Sequence, residues 1–248
     1  MCKVLRFVWT VFKAKRWEEY KVFFQVNIFK YLVLWFTLVP IFAGLIEQFR
    51  GPFNLSIGDN NISFELFLPF NWQLLWMSSL CFVIALLIYS IHCPKFIRKY
   101  NNYSDYLGYA HDSRWLAHEM ENFILSATKD QVKKLVHRLQ VKGFIEQLED
   151  DFKLPIENPE VQSLQTVFYF ESGGTKYGFG APLLKMEKSD SDFETGAFYE
   201  LFGRFSGGRP IARWAIDLFL WLCLIFFLIA FSQHIYNGGL FVWSWISA

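Results

Sequence analysis

Three stretches of the chain lack the polar positions that a water-facing helix or strand requires. Between Asn71 and Cys93 there is no Asp, Glu, Lys or Arg, and at about 1.5 Å per residue such a run crosses a ~30 Å hydrocarbon core. Residues 28–46 carry only Lys30, which can snorkel to the surface, and residues 213–233 carry only Arg213 and Asp217. The pattern predicts transmembrane helices over 28–46, 70–93 and 213–233. Elsewhere periodicity returns. Asp112 or Ser113 can cap a helix running to about Ala127, and Thr128 with Gln131 three residues later forms a capping box for a second. In that second helix Val132, Leu135, Val136 and Leu139 recur on one face, and Gly143 ends it. The segments 166–171 and 175–180 flank Ser172-Gly173-Gly174 and read as a β-hairpin. A smaller hairpin is expected around Gly58-Asp59-Asn60-Asn61, and the polar run SDSDFETG, residues 189–196, reads as a loop.

The fold class predicted is an α-helical membrane protein with three transmembrane helices. A small α+β cytoplasmic domain, residues 94–212, lies between the second and third spans. Residues 1–27 mix Lys and Arg with Trp, Phe and Val; they suit either a basic amphipathic segment in the inner headgroup layer or a basic flank of the first span. Residues 47–69 are an extracytoplasmic loop, and 234–248 an aromatic tail at the outer interface.

Charge sets the orientation. Lys95, Arg98 and Lys99 follow the second span, and Arg204, Arg209 and Arg213 precede the third, so both ends lie inside. This gives a multi-pass membrane protein, N-terminus cytoplasmic and C-terminus extracytoplasmic. Trp72, Trp76, Trp243 and Trp245 are the expected interface anchors. The composition, 53% hydrophobic and 20% aromatic with a net charge of +1, says nothing of partners until the charges are mapped. The four Cys read as apolar fillers without an extracytoplasmic disulfide.

Candidate chemistry is sparse. No P-loop, zincin motif, nucleophile elbow or paired Cys ligands occur, so no enzyme and no cofactor is expected. His111, Asp112, His118 and Glu119 read as surface polar residues at a helix start rather than a metal site. Lys129, Lys133, Lys134, His137, Arg138 and Lys142 fall on the polar face of the second soluble helix, with no acid before Glu146 except Asp130; they are the expected partner or nucleic-acid contact. In the spans, Pro40 is a possible hinge or a tolerated kink, and Asp217 sits one turn beyond Arg213, as a structural ion pair or a trigger. Ser78, Ser79, Ala85 and Asp217 are candidates for packing between subunits of a homo-oligomer within membrane lipid.

Two resemblances add to this reading. QVKKLVHRLQVKGFIEQLEDD, with TVFYFESGGTKYGF after it, resembles the recognition helix and wing of a winged-helix domain, although a long insertion separates the two. LPFNWQLLWMSSL leading to IYSIHCPKFIRKYNNYSDY resembles the small transmembrane effectors encoded beside reverse transcriptases in bacterial retron anti-phage systems. The second resemblance implies an inner-membrane toxin of an abortive-infection system, restrained by reverse transcriptase with RNA-linked single-stranded DNA. The alternative class is a non-toxic anchor or assembly factor for a cytoplasmic partner.

Overall fold

The structure is a computed structural model that describes residues 15–48, 53–57, 60–64, 71–111, 113–162, 165–180 and 190–247. The first fourteen residues, Asp112 and residues 65–70 lie outside the described residues, and with them most of the basic N-terminal segment and one of the two expected caps. The chain divides into two compact units, one of residues 1–15, 22–92 and 210–248, the other of residues 16–21 and 93–209.

In the first unit, α2 (Ile28–Gln48) runs through Pro40, β1 (Phe53–Ile57) and β2 (Asn60–Phe64) pair as an antiparallel hairpin, and α3 (Trp72–His92) leads back. The expected hairpin is therefore present. The last helix, α9, extends from Pro210 to Ile246, 37 residues without a break, starting on a Pro whose missing N–H costs nothing at a helix N-terminus. Its expected end at 233 is not a boundary. Gly238 and Gly239 lower helix propensity by only about 1 kcal/mol each, too little to stop a helix whose other residues are strong apolar formers. Two helices among the described residues, Trp72–His92 and Pro210–Ile246, are long and apolar enough to cross a membrane.

α3 and α9 are antiparallel neighbours. Ser78 Oγ donates to the Cys223 carbonyl at 2.8 Å, and Gln233 Oε1 accepts from the Asn71 amide at 3.1 Å. Ser78, Ser79 and Ala85 are buried, and small side chains of this kind let helices approach closely. Of the residues expected to pack between subunits, Ser78 makes its contact within the chain, with Cys223.

The second unit is built around α8 (Asp190–Gly207), whose first two turns, through Gly196, the sequence reading expected as a loop. Its polar start misleads, because Phe193, Ala197, Leu201 and Phe205 recur every fourth residue and all are buried. Around it stand α4 (Lys95–Lys99), α5 (Tyr103–Gly108), α6 (Ser113–Ser126) and α7 (Lys129–Val141). Phe96 stacks on Phe205 at 5.1 Å and lies 5.3 Å from Phe198. Four antiparallel strands, β3 (Glu146–Gln147), β4 (Glu160–Gln162), β5 (Gln165–Ser172) and β6 (Thr175–Phe179), form one sheet in the order β3-β6-β5-β4. The β5–β6 turn is Gly173-Gly174, with φ of +68° and +84°, the left-handed geometry that a two-residue hairpin turn requires.

The first turn of α1 (Trp17–Gln25) belongs to this unit as well. Trp17 is 0% and Lys21 4% exposed. Trp17 Nε1 donates to the Gly208 carbonyl and Lys21 Nζ to the Ile97 carbonyl, each at 2.9 Å. These two side chains, expected in lipid headgroups or in a basic flank of the first span, are thus inside protein.

Two glycines of α8 make a matched test. A Cβ on Gly196 would collide with the buried Phe144 ring, which lies edge-on to Phe193, whereas nothing stands within 4 Å of one on Gly203. Gly196→Ala is expected to destabilise the unit by about 1–3 kcal/mol and Gly203→Ala to stabilise it by about 0.5–1 kcal/mol, read by hydrogen exchange of the α8 amides in the full-length protein.

Candidate functional site

The polar side of α7 is the part of the second unit where the sequence concentrates cations. Local chemistry fixes this helix at both ends. Gln131 Oε1 accepts from the Thr128 amide at 3.1 Å, in the capping box that the sequence predicts. At the other end Gly143, with φ of +66°, donates to the Gln140 carbonyl at 2.9 Å and the Phe144 amide to the Leu139 carbonyl at 2.7 Å. That pair of bonds is a Schellman motif, and it satisfies carbonyls the helix would otherwise leave open. Leu135, Val136 and Leu139 are buried beneath, as the periodicity predicts.

The six expected contact residues do not form one face. They divide into two stripes at i, i+4 spacing. Lys134, Arg138 and Lys142 lie beside α8. The Lys134 carbonyl accepts from Arg204 at 3.0 Å, and Arg138 grips Glu200 with two bonds, Nε to Oε2 at 3.1 Å and a terminal nitrogen to Oε1 at 2.9 Å. Lys142 reaches the same carboxylate. Glu200 is 9% exposed, and the Arg138 hydrogen bonds, with the Lys142 bond and both charges, bring its pKa down to about 2 despite partial burial. Arg138 and Lys142 are therefore committed to holding α7 on α8. The other stripe, Lys129, Lys133 and His137, is exposed, as is the Lys134 side chain. None of these four has an ion-pair partner among the described residues. Sequence reasoning merged the stripes because Glu200 is 62 residues from Arg138.

Sequence reasoning missed a second cluster, in which Lys99 lies over the rings of Tyr100, Tyr109 and Trp115 at 5.1, 4.9 and 5.8 Å and bonds His111 Nε2 at 2.8 Å. Each cation–ring contact contributes about 0.5–1 kcal/mol at an exposed site. The spacing of aromatics through residues 100–115 is the signal that could have found it. Burial raises the pKa of the nearby Glu119, with Lys99 among the charges opposing the shift, and pushes that of Tyr100 up to about 12. His118 faces Glu121 at 4.0 Å rather than His111. Among the described residues no three His, Cys, Asp or Glu stand together as a metal site.

In the first unit, Arg213 is buried and donates to the Lys15 carbonyl at 3.0 Å. Asp217 follows one turn later, half-buried. Trp72 and Trp76 lie half-buried in the first turns of α3, while Trp243 and Trp245 are exposed near the end of α9. No protein-family model matches the chain, and neither curated proteins nor solved structures match it.

The Glu200 contacts generate a pH prediction. A carboxylate whose folded pKa is depressed adds stability above its unfolded value near 4.3, and that stability is lost as pH falls through the folded value near 2. Glu200→Gln is expected to cost about 1–3 kcal/mol at pH 7, a difference that shrinks below pH ~4 and vanishes near pH 2, measured by denaturant titration of both proteins across that range.

Proposed function

We propose that this chain is a three-span protein of a bacterial inner membrane and a non-enzymatic effector of an anti-phage, abortive-infection system. A cytoplasmic nucleoprotein restrains it through the soluble domain, and its helices perturb the membrane once released. The observation that carries the topology is the burial of Trp17 and Lys21 against residues 93–209. Groups that bond to one another lie on one side of any bilayer. Residues 22–92 then cross an even number of times, and with Trp72–His92 as one crossing, Ile28–Gln48 is the other. The two helices are of equal length, 21 residues. A soluble core helix would be mostly buried. In α9, by contrast, Leu218, Trp221, Leu224, Ile225 and Leu228 are all between 43% and 57% exposed.

Helix length supplies the means of perturbation. A helix of 37 residues measures about 55 Å, against a ~30 Å hydrocarbon core. Because Asn71 is level with Gln233, the following 13 residues outrun α3 by about 20 Å. They carry Phe241, Trp243 and Trp245, each more than 70% exposed. Keeping such groups in water costs about 1.5–3 kcal/mol apiece, so this segment draws lipid around itself or tilts α9, straining the bilayer. The partner contact falls to Lys129, Lys133, Lys134 and His137, which present the uncommitted charge that phosphates attract; the resemblance to retron effectors names that partner as reverse transcriptase with RNA-linked single-stranded DNA. A winged-helix reading of the domain draws support from the order of α7, β3 and the β5–β6 hairpin.

Expression without any neighbouring gene is expected to collapse membrane potential and halt growth, and deletion of residues 234–248 to restore both while the protein still inserts. Sustained potential with the full chain rejects the effector and favours a non-toxic anchor. Separately, Lys133→Glu with Lys134→Glu is expected to weaken co-purification of the nucleoprotein at least tenfold without loss of insertion, whereas unchanged co-purification rejects this contact.

A further inference from the structure

The loop joining β3 to β4 is clamped at both ends and holds its aliphatic tip in solvent. At its start Lys176 Nζ donates to the carbonyls of Asp150 and Phe152, at 2.7 and 2.8 Å, and the Phe152 ring lies 5.0 Å from Tyr169. At its end the Asn158 side chain donates to the Tyr169 carbonyl at 2.6 Å and accepts from the Tyr169 amide at 2.9 Å. Between the clamps Leu154 is 47% exposed and Ile156 fully exposed, with Pro155 stiffening the backbone between them. An ordered apolar tip has already lost the loop entropy that docking would otherwise cost.

Charge around the tip narrows the choice of occupant. Glu149, Asp150, Asp151 and Glu157 flank it against Lys153 and the clamping Lys176, an acidic excess that disfavours phosphates and anionic lipid alike. None of these four carboxylates is ion-paired among the described residues. The matching surface exists on the same domain. The outward stripe of α7 continues from Lys129, Lys133 and His137 to Val141, which is 75% exposed, giving three basic side chains followed by an apolar seat. Within one chain the two surfaces leave each other unpaired.

We propose that the Leu154–Ile156 tip and its acidic flanks dock on the Lys129–Val141 stripe of a second copy of this chain. The proposal rests on the stripe being a contact surface, as in the functional reading. The nucleoprotein and a second copy then compete for the same cations, so that restraint and assembly exclude one another.

The test uses the full-length protein in detergent micelles. Chains carrying Ile156→Cys are mixed with chains carrying Val141→Cys and oxidised, and the linked pair is identified by mass spectrometry. A 156–141 link between chains is expected, falling at least fivefold from 50 to 500 mM salt as charge attraction is screened. It is expected to fall about tenfold when the acceptor chain also carries Lys129→Glu and Lys133→Glu, and to recover when the donor chain carries Asp150→Lys and Asp151→Lys. Absence of the link, or a yield indifferent to these reversals, overturns the proposal. Ile156→Asp separates it from the functional reading: self-contact is expected to be lost with nucleoprotein co-purification intact, and loss of neither or of both overturns the second-copy assignment.

Discussion

An N-terminal turn buried in a domain that begins more than seventy residues later is the constraint on which the rest depends. Lys21 is the sharpest part of it. A buried ammonium retains its place only if its hydrogen-bonding capacity is met; here the Ile97 carbonyl accepts from it at 2.9 Å, and burial lowers its pKa while Asp105 partly offsets the shift. Trp17 adds the largest fully buried side chain of the turn and spends its one donor on Gly208. These bonds close a loop through α2, the hairpin and α3, and the proposed topology rests on that closure.

Polar contacts inside the apolar unit do a different job. Ser78 bonds the Cys223 backbone across the α3–α9 seam, and Arg213 bonds the Lys15 carbonyl. Each bond fixes register between segments whose van der Waals surfaces are otherwise interchangeable. The exposed side chains of α9 are large and apolar, aromatic as well as aliphatic, among them Trp214, Leu218, Trp221, Leu224 and Phe227.

Much of this was legible in the sequence. Apolar run length gave α2 and α3, turn chemistry gave both hairpins, and the Thr128–Gln131 and Gly143 signals bounded α7 closely. Four things were not legible, each for a reason. The start of α8 is written in loop-like residues, and only the fourfold spacing from Phe193 onward outweighs them. The sharing of Arg138 and Lys142 with Glu200 depends on a pairing across 62 positions that no local pattern encodes. Trp17 and Lys21 have the composition of a membrane-surface helix, and nothing nearby says that their partners are the carbonyls of Gly208 and Ile97. The extent of α9 past residue 233 was hidden by two glycines that a long apolar helix tolerates.

The central claim is that residues 16–21 and 93–209 share the cell interior while the far end of α9 does not. Single cysteines introduced at Lys133 and Ser247 in intact cells, labelled with a thiol reagent that cannot cross the membrane, test it directly. Labelling at 247 before permeabilisation, and at 133 only afterwards, is the predicted result. Labelling at 133 in intact cells contradicts the account.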